Sequence, residues 1–200
     1  MNDSSKQPRK HIYLVRHCEF ANPDHILAGR LPLPLSKKGK AQAQRLRKYF
    51  QDKQIEHIYS SAVLRCKQTA EAIAQQKIPI TYDQRLLEIF SAYQGYAFYE
   101  KEIDARYLFK FREELGGENF RDMQQRMMSF WQGLVKTKEK NVIVCSHGDP
   151  LYTLHCGILN TPMLDECVPA PADYQPVGAF VRLISYYSPS KVQVFPFIEV

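Results

Sequence analysis

Four side chains that are cationic, or can become so, fall where a parallel sheet would collect them. The run Ile12-Tyr13-Leu14-Val15 leads straight into Arg16-His17, and Asn141-Val142-Ile143-Val144-Cys145-Ser146 leads into His147-Gly148. Apolar runs of this length, bounded by polar residues, read as strands buried on both faces. Ligands of open α/β sheets bind at the carboxyl ends of such strands. Arg65 follows a third run, Ile55 to Tyr59, after Ser60-Ser61, and falls in the first turn of a predicted helix, where backbone amides point outward. Leu86-Leu87-Glu88-Ile89-Phe90 sets one carboxylate among apolar residues. Guanidinium groups bind phosphate through paired hydrogen bonds, and a neutral imidazole is a competent nucleophile. Two arginines, two histidines and one half-buried carboxylate are what cleavage of a phosphate monoester through a phosphohistidine would need. Each residue alone also has a plainer reading. His17 could be a satisfied strand-end histidine and Arg65 an ordinary surface arginine. The two histidines meet only if their strands lie side by side.

The elements that must position these groups alternate. Met1 to Lys10 reads as a polar tail, and residues 11–200 as a single domain. A strand at His11 to Arg16 is followed by Asn22 to Leu35, a long loop holding Pro23, Gly29, Pro32 and Pro34. Loops of that length directly after a catalytic-looking strand end are usually functional, although a plain connector stays open. Ser36 is the N-cap of a predicted helix to about Gln51. Then come a strand at Ile55 to Tyr59, a helix at Ala62 to Gln75 and a strand at Ile78 to Tyr82. Tyr96 to Leu115 has only weak helical periodicity. Gly116-Gly117-Glu118-Asn119 turns into a helix that should bury Phe120, Met123, Met127, Phe130 and Leu134. After the His147 strand, Asp149 is expected to cap a helix beginning at Pro150. A proline-rich crossing, Thr161 to Pro176, leads to two final strands joined by Ser188-Pro189-Ser190. The pattern predicts a three-layer α/β/α sandwich around a mixed, mostly parallel sheet.

Composition narrows the setting. The formal charge is +6 and the pI about 9.0, which favours anionic partners without singling out nucleic acid. The densest basic cluster, Lys37 to Lys53, lies on one predicted helix and reads as a solvated face. Five cysteines, with no C-x-x-C pair, argue against a disulfide framework or structural zinc and for a reducing, cytoplasmic setting. The polar tail is no secretion signal, and no run approaches the roughly 20 apolar residues of a membrane span.

The ordered motifs resemble those of the histidine phosphatase superfamily, the phosphoglycerate mutase-like fold. Val15-Arg16-His17-Cys18-Glu19 is similar to its Arg-His-Gly motif. Gly29-Arg30 with Pro34-Leu35-Ser36-x-x-Gly39-x-Ala41-Gln42 resembles its loop and first helix, and Tyr59-Ser60-Ser61-x-x-x-Arg65-x-x-Gln68-Thr69-Ala70 its second phosphate-binding segment. Leu87-Glu88, Gly116-Gly117-Glu118 and Val144-Cys145-Ser146-His147-Gly148 follow in the family's order. The resemblance implies His17 as nucleophile, Arg16, Arg65 and His147 as ligands of the phosphoryl oxygens, and Glu88 as general acid and base. It also implies that Asn22 helps hold the phosphoryl group and that Arg30 reaches the substrate. It implies no metal and no cofactor, the arginines supplying the charge stabilisation. Three departures stand out: Cys18 replaces a glycine, Ser91 falls near another family glycine, and Asn119 stands where serine is common.

Mutases of this family carry an insertion between the acid motif and the Gly-Glu segment. Here only Ile89 to Leu115 separates them, which favours a phosphatase. The expected partner is a small phosphorylated metabolite or a phosphoprotein, with no nucleic acid and no membrane, and a homodimer stays open. Tyr93 to Phe111 is expected to line the pocket mouth. Two alternatives remain: mutase-type phosphoryl transfer, and a non-catalytic basic module whose binding would weaken steeply with salt. Cys18, next to the nucleophile, is expected at the pocket floor among cations, with a lowered pKa and an oxidisable thiolate.

Overall fold

The computed structural model describes residues 7–97, 116–163 and 174–200. Most of the stretch Tyr96 to Leu115, most of the proline-rich crossing, the first residues of the tail and Cys167 lie outside the described residues, as do the expectations attached to them.

Strand β1 (Lys10–Arg16) is followed by helix α1 (Lys37–Phe50), strand β2 (His57–Ser60), helix α2 (Leu64–Ala74) and strand β3 (Ile80–Tyr82). A 3-10 turn (Gln84–Leu86) precedes helix α3 (Phe120–Leu134), and strand β4 (Asn141–Ser146) runs into helix α4 (Gly148–Ile158). Strands β5 (Phe180–Ser188) and β6 (Lys191–Glu199) form the closing hairpin. The six strands make one sheet in the order β3-β2-β4-β1-β5-β6. β3, β2, β4 and β1 are parallel, and β5 and β6 are added antiparallel.

The central strands are apolar on successive residues because both faces are covered. Ile12, Leu14, Val142 and Val144 face one core with Met123, Met127 and Phe130 of α3 and Leu151 and Leu154 of α4. Tyr13, Val15, Ile143 and Cys145 face the other, with Ala43, Leu46 and Phe50 of α1 and Cys66, Ala70 and Ile73 of α2. The expected layers are therefore present, and all five apolar positions foreseen on the late helix are buried. Each such side chain contributes about 1.5–3 kcal/mol.

Two strands start later than expected. The Ile78 amide still bonds to the Ala74 carbonyl at 3.3 Å, finishing α2. The β2–β3 ladder therefore pairs only Ile58 with Ile80, Tyr59 with Thr81 and Ser60 with Tyr82. Ile55 packs against the core ahead of β2.

Register is what aligns the site. Arg16 pairs with Ser146, and Ser60 pairs with Cys145, so β1, β4 and β2 end level. A slip of one residue would turn every side chain of a strand to the other face. Helix α1 is capped by Ser36, whose hydroxyl accepts from the Gly39 amide at 2.9 Å. Its lysines at 37, 38 and 40 and Arg45, Arg47 and Lys48 are exposed, so this basic cluster is a solvated face. Asn119 caps α3 by accepting from the Asp122 amide at 2.7 Å, the bond a serine there would make.

Gly39 is fixed by closeness. A Cβ there would lie 1.8 Å from the carbonyl oxygen of Glu19, in the loop after His17. Gly39→Ala gains about 1 kcal/mol of helix propensity. It also overpacks against backbone that cannot swing aside, which costs about 1–3 kcal/mol or more. The clash wins, so the variant should unfold several degrees lower despite the better helix former; a thermal melt equal to or above the parent's would refute this.

Candidate active site

His17 leaves the end of β1 with its amide bonded to the Ser146 carbonyl at 3.0 Å, and the side chain is buried. Its Nδ1 lies 2.8 Å from the Cys18 carbonyl. A carbonyl can only accept, so Nδ1 carries the hydrogen and Nε2 keeps its lone pair. Burial holds the His17 pKa well below the usual histidine value, and the Arg65 and Arg16 guanidinium groups hold it down further. The result is a neutral imidazole with a defined nucleophilic nitrogen.

The loop beyond it is tied down by the residues that make up the sequence motifs. The Cys18 amide donates to Thr69 Oγ1 at 3.1 Å and the Glu19 amide to Gln42 Oε1 at 2.9 Å. Ser36 Oγ donates to Glu19 Oε1 at 2.8 Å, and Gln68 accepts from the Leu35 amide at 2.7 Å. Cys18 is not among the residues with positive φ, so the backbone there accepts a side chain without strain. The expectation of a reactive Cys18 is corrected. Its side chain faces the α1–α2 core, fully buried beside Val15, Leu35 and Cys66. Burial pushes its pKa up to about 12, the reverse of the expected direction.

Arg65 and His147 form one unit. Arg65, 2% exposed, donates from Nη2 to His147 Nδ1 at 2.9 Å and to the Gly29 carbonyl at 2.8 Å. Because arginine only donates, His147 must carry its hydrogen on Nε2, which lies 2.9 Å from Ser61 Oγ. Burial holds His147 well below the ordinary histidine pKa, and Arg65 adds to this. The two histidine rings stand 5.2 Å apart, centroid to centroid. Phe20 packs edge-on to His17 at 5.4 Å and lies 5.0 Å beneath the Arg65 guanidinium. Arg16 donates from Nη1 to the Gln175 carbonyl at 2.9 Å and lies 5.1 Å over the Tyr174 ring. The buried Nε atoms of both arginines have no hydrogen-bond partner among the described residues.

Glu88 reaches this group from the loop after the 3-10 turn. Oε2 lies 3.8 Å from Arg65 Nη2 and 3.6 Å from His147 Nδ1, and Oε1 accepts from the Ile89 amide at 2.9 Å. With His147 neutral, the 3.6 Å approach is proximity and not an ion pair. Burial, reinforced by Asp149, raises the Glu88 pKa to about 7 against the pull of Arg65. The loop is braced from behind. Arg30 Nε donates to the Glu88 carbonyl at 2.8 Å, and its Nη2 lies 3.4 Å from Glu118. Glu118 is in turn held by Arg126. Arg30 is thus held by the Glu88 carbonyl and Glu118 and is not among the residues lining the cavity. Asn22 does line it, with its side chain folded onto Ile26 through bonds of 2.9 and 3.1 Å.

The cavity at these residues has a volume of about 320 Å³ and is walled by Phe20, Ile26, Leu27 and Ile89. The long Asn22 to Leu35 loop supplies much of that wall. It is zipped to the segment after Glu88: the Leu27 amide donates to the Tyr96 carbonyl and the Gly95 amide to the Leu27 carbonyl, at 2.9 Å each. A larger groove of about 680 Å³, between α3, α4 and the closing hairpin, shares no residue with the site. Among the described residues no cluster of three histidine, cysteine or acidic side chains is arranged to hold a metal ion. No helix of the described residues is long and apolar enough to cross a membrane.

Sequence reasoning brought together His17, Arg16, Arg65, His147 and Glu88; the structure places Arg16, His17, Arg65 and Glu88 on one cavity, with His147 in contact with Arg65 and Glu88 but not among the lining residues. It missed Phe20, Tyr174 and Asp149 as cavity walls. Asp149 was expected as a cap, but α4 starts at Gly148 with His147 in extended conformation at the N-cap. The carboxylate instead accepts from the Tyr174 hydroxyl at 2.7 Å. Gly148 makes room for that tyrosine: a Cβ would lie 2.1 Å from the Tyr174 oxygen. Asp149 was visible in the motif two places after His147, whereas nothing marked Tyr174 out within the proline-rich crossing.

A mixed, mostly parallel α/β sheet thus gathers two histidines, two arginines and a carboxyl beside the carboxyl ends of its strands. Residues 12–166 match the model of the histidine phosphatase superfamily (branch 1), and the chain belongs to that family. It is 29% identical over 164 residues to "Phosphoserine phosphatase 1" of Hydrogenobacter thermophilus, covering 76% of this chain and 77% of that one. It is 30% identical over 186 residues to "Probable phosphoglycerate mutase GpmB" of Salmonella paratyphi A, covering 82% and 85%. Among solved structures it resembles YhfR of Bacillus stearothermophilus, with a TM-score of 0.77 and 30% identity over 92% of this chain and 95% of that one.

Proposed function

We propose that this chain is a phosphomonoester hydrolase working through a phosphohistidine on His17. The observation that carries the reading is the pair of buried arginine Nε atoms without partners, set around a neutral histidine with its Nε2 lone pair exposed by tautomer. Such donors suit the equatorial oxygens of a transferring phosphoryl group. In the first step, His17 Nε2 forms a bond to phosphorus as the bond to the leaving oxygen breaks, and Glu88 gives that oxygen its proton. Arg16 and Arg65 stabilise the charge on the equatorial oxygens, His147 holds Arg65 in place by accepting from its Nη2, and Asn22 stands at the rim. In the second step water attacks phosphorus, Glu88 takes the water's proton, and the N–P bond breaks to release phosphate. A Glu88 pKa of about 7 lets the group serve both steps near neutrality. The two guanidinium groups supply the charge stabilisation, so the reaction needs no metal or cofactor. The named activities of the relatives divide between hydrolysis and mutase chemistry. Water is the acceptor we assign, because the short stretch from Ile89 to Leu115 leaves little room for a shielding insertion. The small cavity suits a small phosphomonoester. Buried free thiols at Cys18, Cys66 and Cys145 suit a reducing, cytoplasmic setting.

The test is a phosphatase assay over a panel of small phosphomonoesters. Hydrolysis should be competitively inhibited by vanadate, which adopts the trigonal bipyramid of phosphoryl transfer, and untouched by EDTA. Activity lost to chelator and restored by a divalent ion would overturn the metal-free scheme; transfer to a sugar-acid hydroxyl in preference to water would overturn the hydrolase assignment.

A further inference from the structure

The cavity holds a second carboxyl that the scheme above does not use. Asp149 lines it from the first turn of α4, and Glu88 lines it from its loop. Its Oδ1 accepts from the Tyr174 hydroxyl at 2.7 Å, and the same tyrosine ring lies 5.1 Å under the Arg16 guanidinium. Gly148 is the residue that lets the tyrosine approach this closely. One tyrosine therefore braces a phosphate-binding arginine on its face and a carboxylate at its tip. Resting on the hydrolase reading and going beyond it, we propose that Asp149, held by Tyr174, is a positioning residue for proton transfer: the two carboxyls of this one cavity titrate as a pair, and Asp149 keeps the pair's last proton on Glu88.

The charges facing the pair are few. Glu88 meets Arg65 from α2, Arg16 from the end of β1, His147 at the start of α4, and Asp149. Asp149 meets Arg16 and Tyr174. Both histidines are held neutral. Two carboxylates in so small a cavity repel, so the second ionises reluctantly. The tyrosine bond stabilises the anionic form of Asp149 only, which decides where the proton stays. Burial raises both groups, and Tyr174 opposes that at Asp149.

The signs of two substitutions then differ. Asp149→Asn removes the like charge, so Glu88 should release its proton at lower pH, by about one unit. Tyr174→Phe keeps the ring under Arg16 but withdraws the bond to Asp149, so the last proton of the pair should leave at higher pH. The experiment is an NMR titration of side-chain carboxyl carbons in the unliganded protein, run beside the pH profile for an unactivated phosphate ester. The downward shift in Asp149→Asn, with the opposite shift in Tyr174→Phe, supports the paired titration. A Glu88 titration that stays put in Asp149→Asn overturns it, even if activity falls. The titration does not depend on turnover. Opposed shifts in a chain that hydrolyses no phosphomonoester would leave the pair standing and remove the hydrolase reading; normal hydrolysis with unshifted titration would do the reverse.

Discussion

His17→Ala should abolish turnover of every substrate, by about 10³-fold or more, activated aryl phosphates included. The size follows from position. His17 Nε2 is the one nitrogen whose tautomer is fixed by a backbone carbonyl and whose positive form is disfavoured by burial and by two arginines. His147 cannot substitute, because its Nδ1 accepts from Arg65 and its Nε2 hydrogen is directed at Ser61. Removing the imidazole leaves the fold's hydrogen bonds to Ser146 and Thr69 intact, since the backbone amides of His17 and Cys18 make them. The variant should therefore melt close to the parent. Rapid-quench labelling from a radioactive phosphate ester should trap an acid-labile, base-stable phosphoenzyme in the parent and none in the variant. A variant that keeps labelling would move the nucleophile elsewhere.

Glu88→Gln should separate substrates by their leaving groups. A phenolate-type leaving group departs without a proton, so aryl phosphates should lose little in the first step. Alkyl phosphates need the proton and should slow by about 10²–10⁴-fold. Glutamine is close in shape and keeps an oxygen to accept from the Ile89 amide, so the loop should hold. The pH dependence gives a second sign. Because the folded carboxyl titrates near 7, its acid form disappears as pH rises through that value, and the rate on alkyl phosphates should fall above it. In the glutamine variant that limb should be absent. Equal losses on aryl and alkyl esters, or an unchanged limb, would remove Glu88 from the role of acid.

The catalytic core was legible because it depends on local grammar. Buried parallel strands announce themselves as unbroken apolar runs, and their last residues are at the sheet's carboxyl edge by geometry alone. Arg16, His17 and His147 follow from that rule. What the sequence left unreadable depends on contacts between distant segments. Tyr174 reaches Asp149 from a stretch with no periodicity, and Arg30 turns away from the cavity because Glu118 and the Glu88 carbonyl capture it. Cys18 misled for a related reason. Neighbours in sequence were cations, but past the end of β1 the Cys18 side chain turns into the α1–α2 core, where it packs with Val15 and Cys66. Asn119 was the opposite case, an unexplained departure that proved to be an ordinary helix cap.

The bonds that hold the two halves of the site differ in kind. The His17 amide bonds to the Ser146 carbonyl directly beyond the last pair of the β1–β4 ladder, in the middle of the sheet. The Glu88 loop is held by side chains, through Arg30, Glu118 and Arg126, and by a few loop-to-loop amides. Native-state opening follows such differences: amides in a central strand exchange near the global free energy, whereas loops held mainly by side chains open at a smaller fraction of it. Amide exchange at Ile89 should therefore outpace exchange at His17.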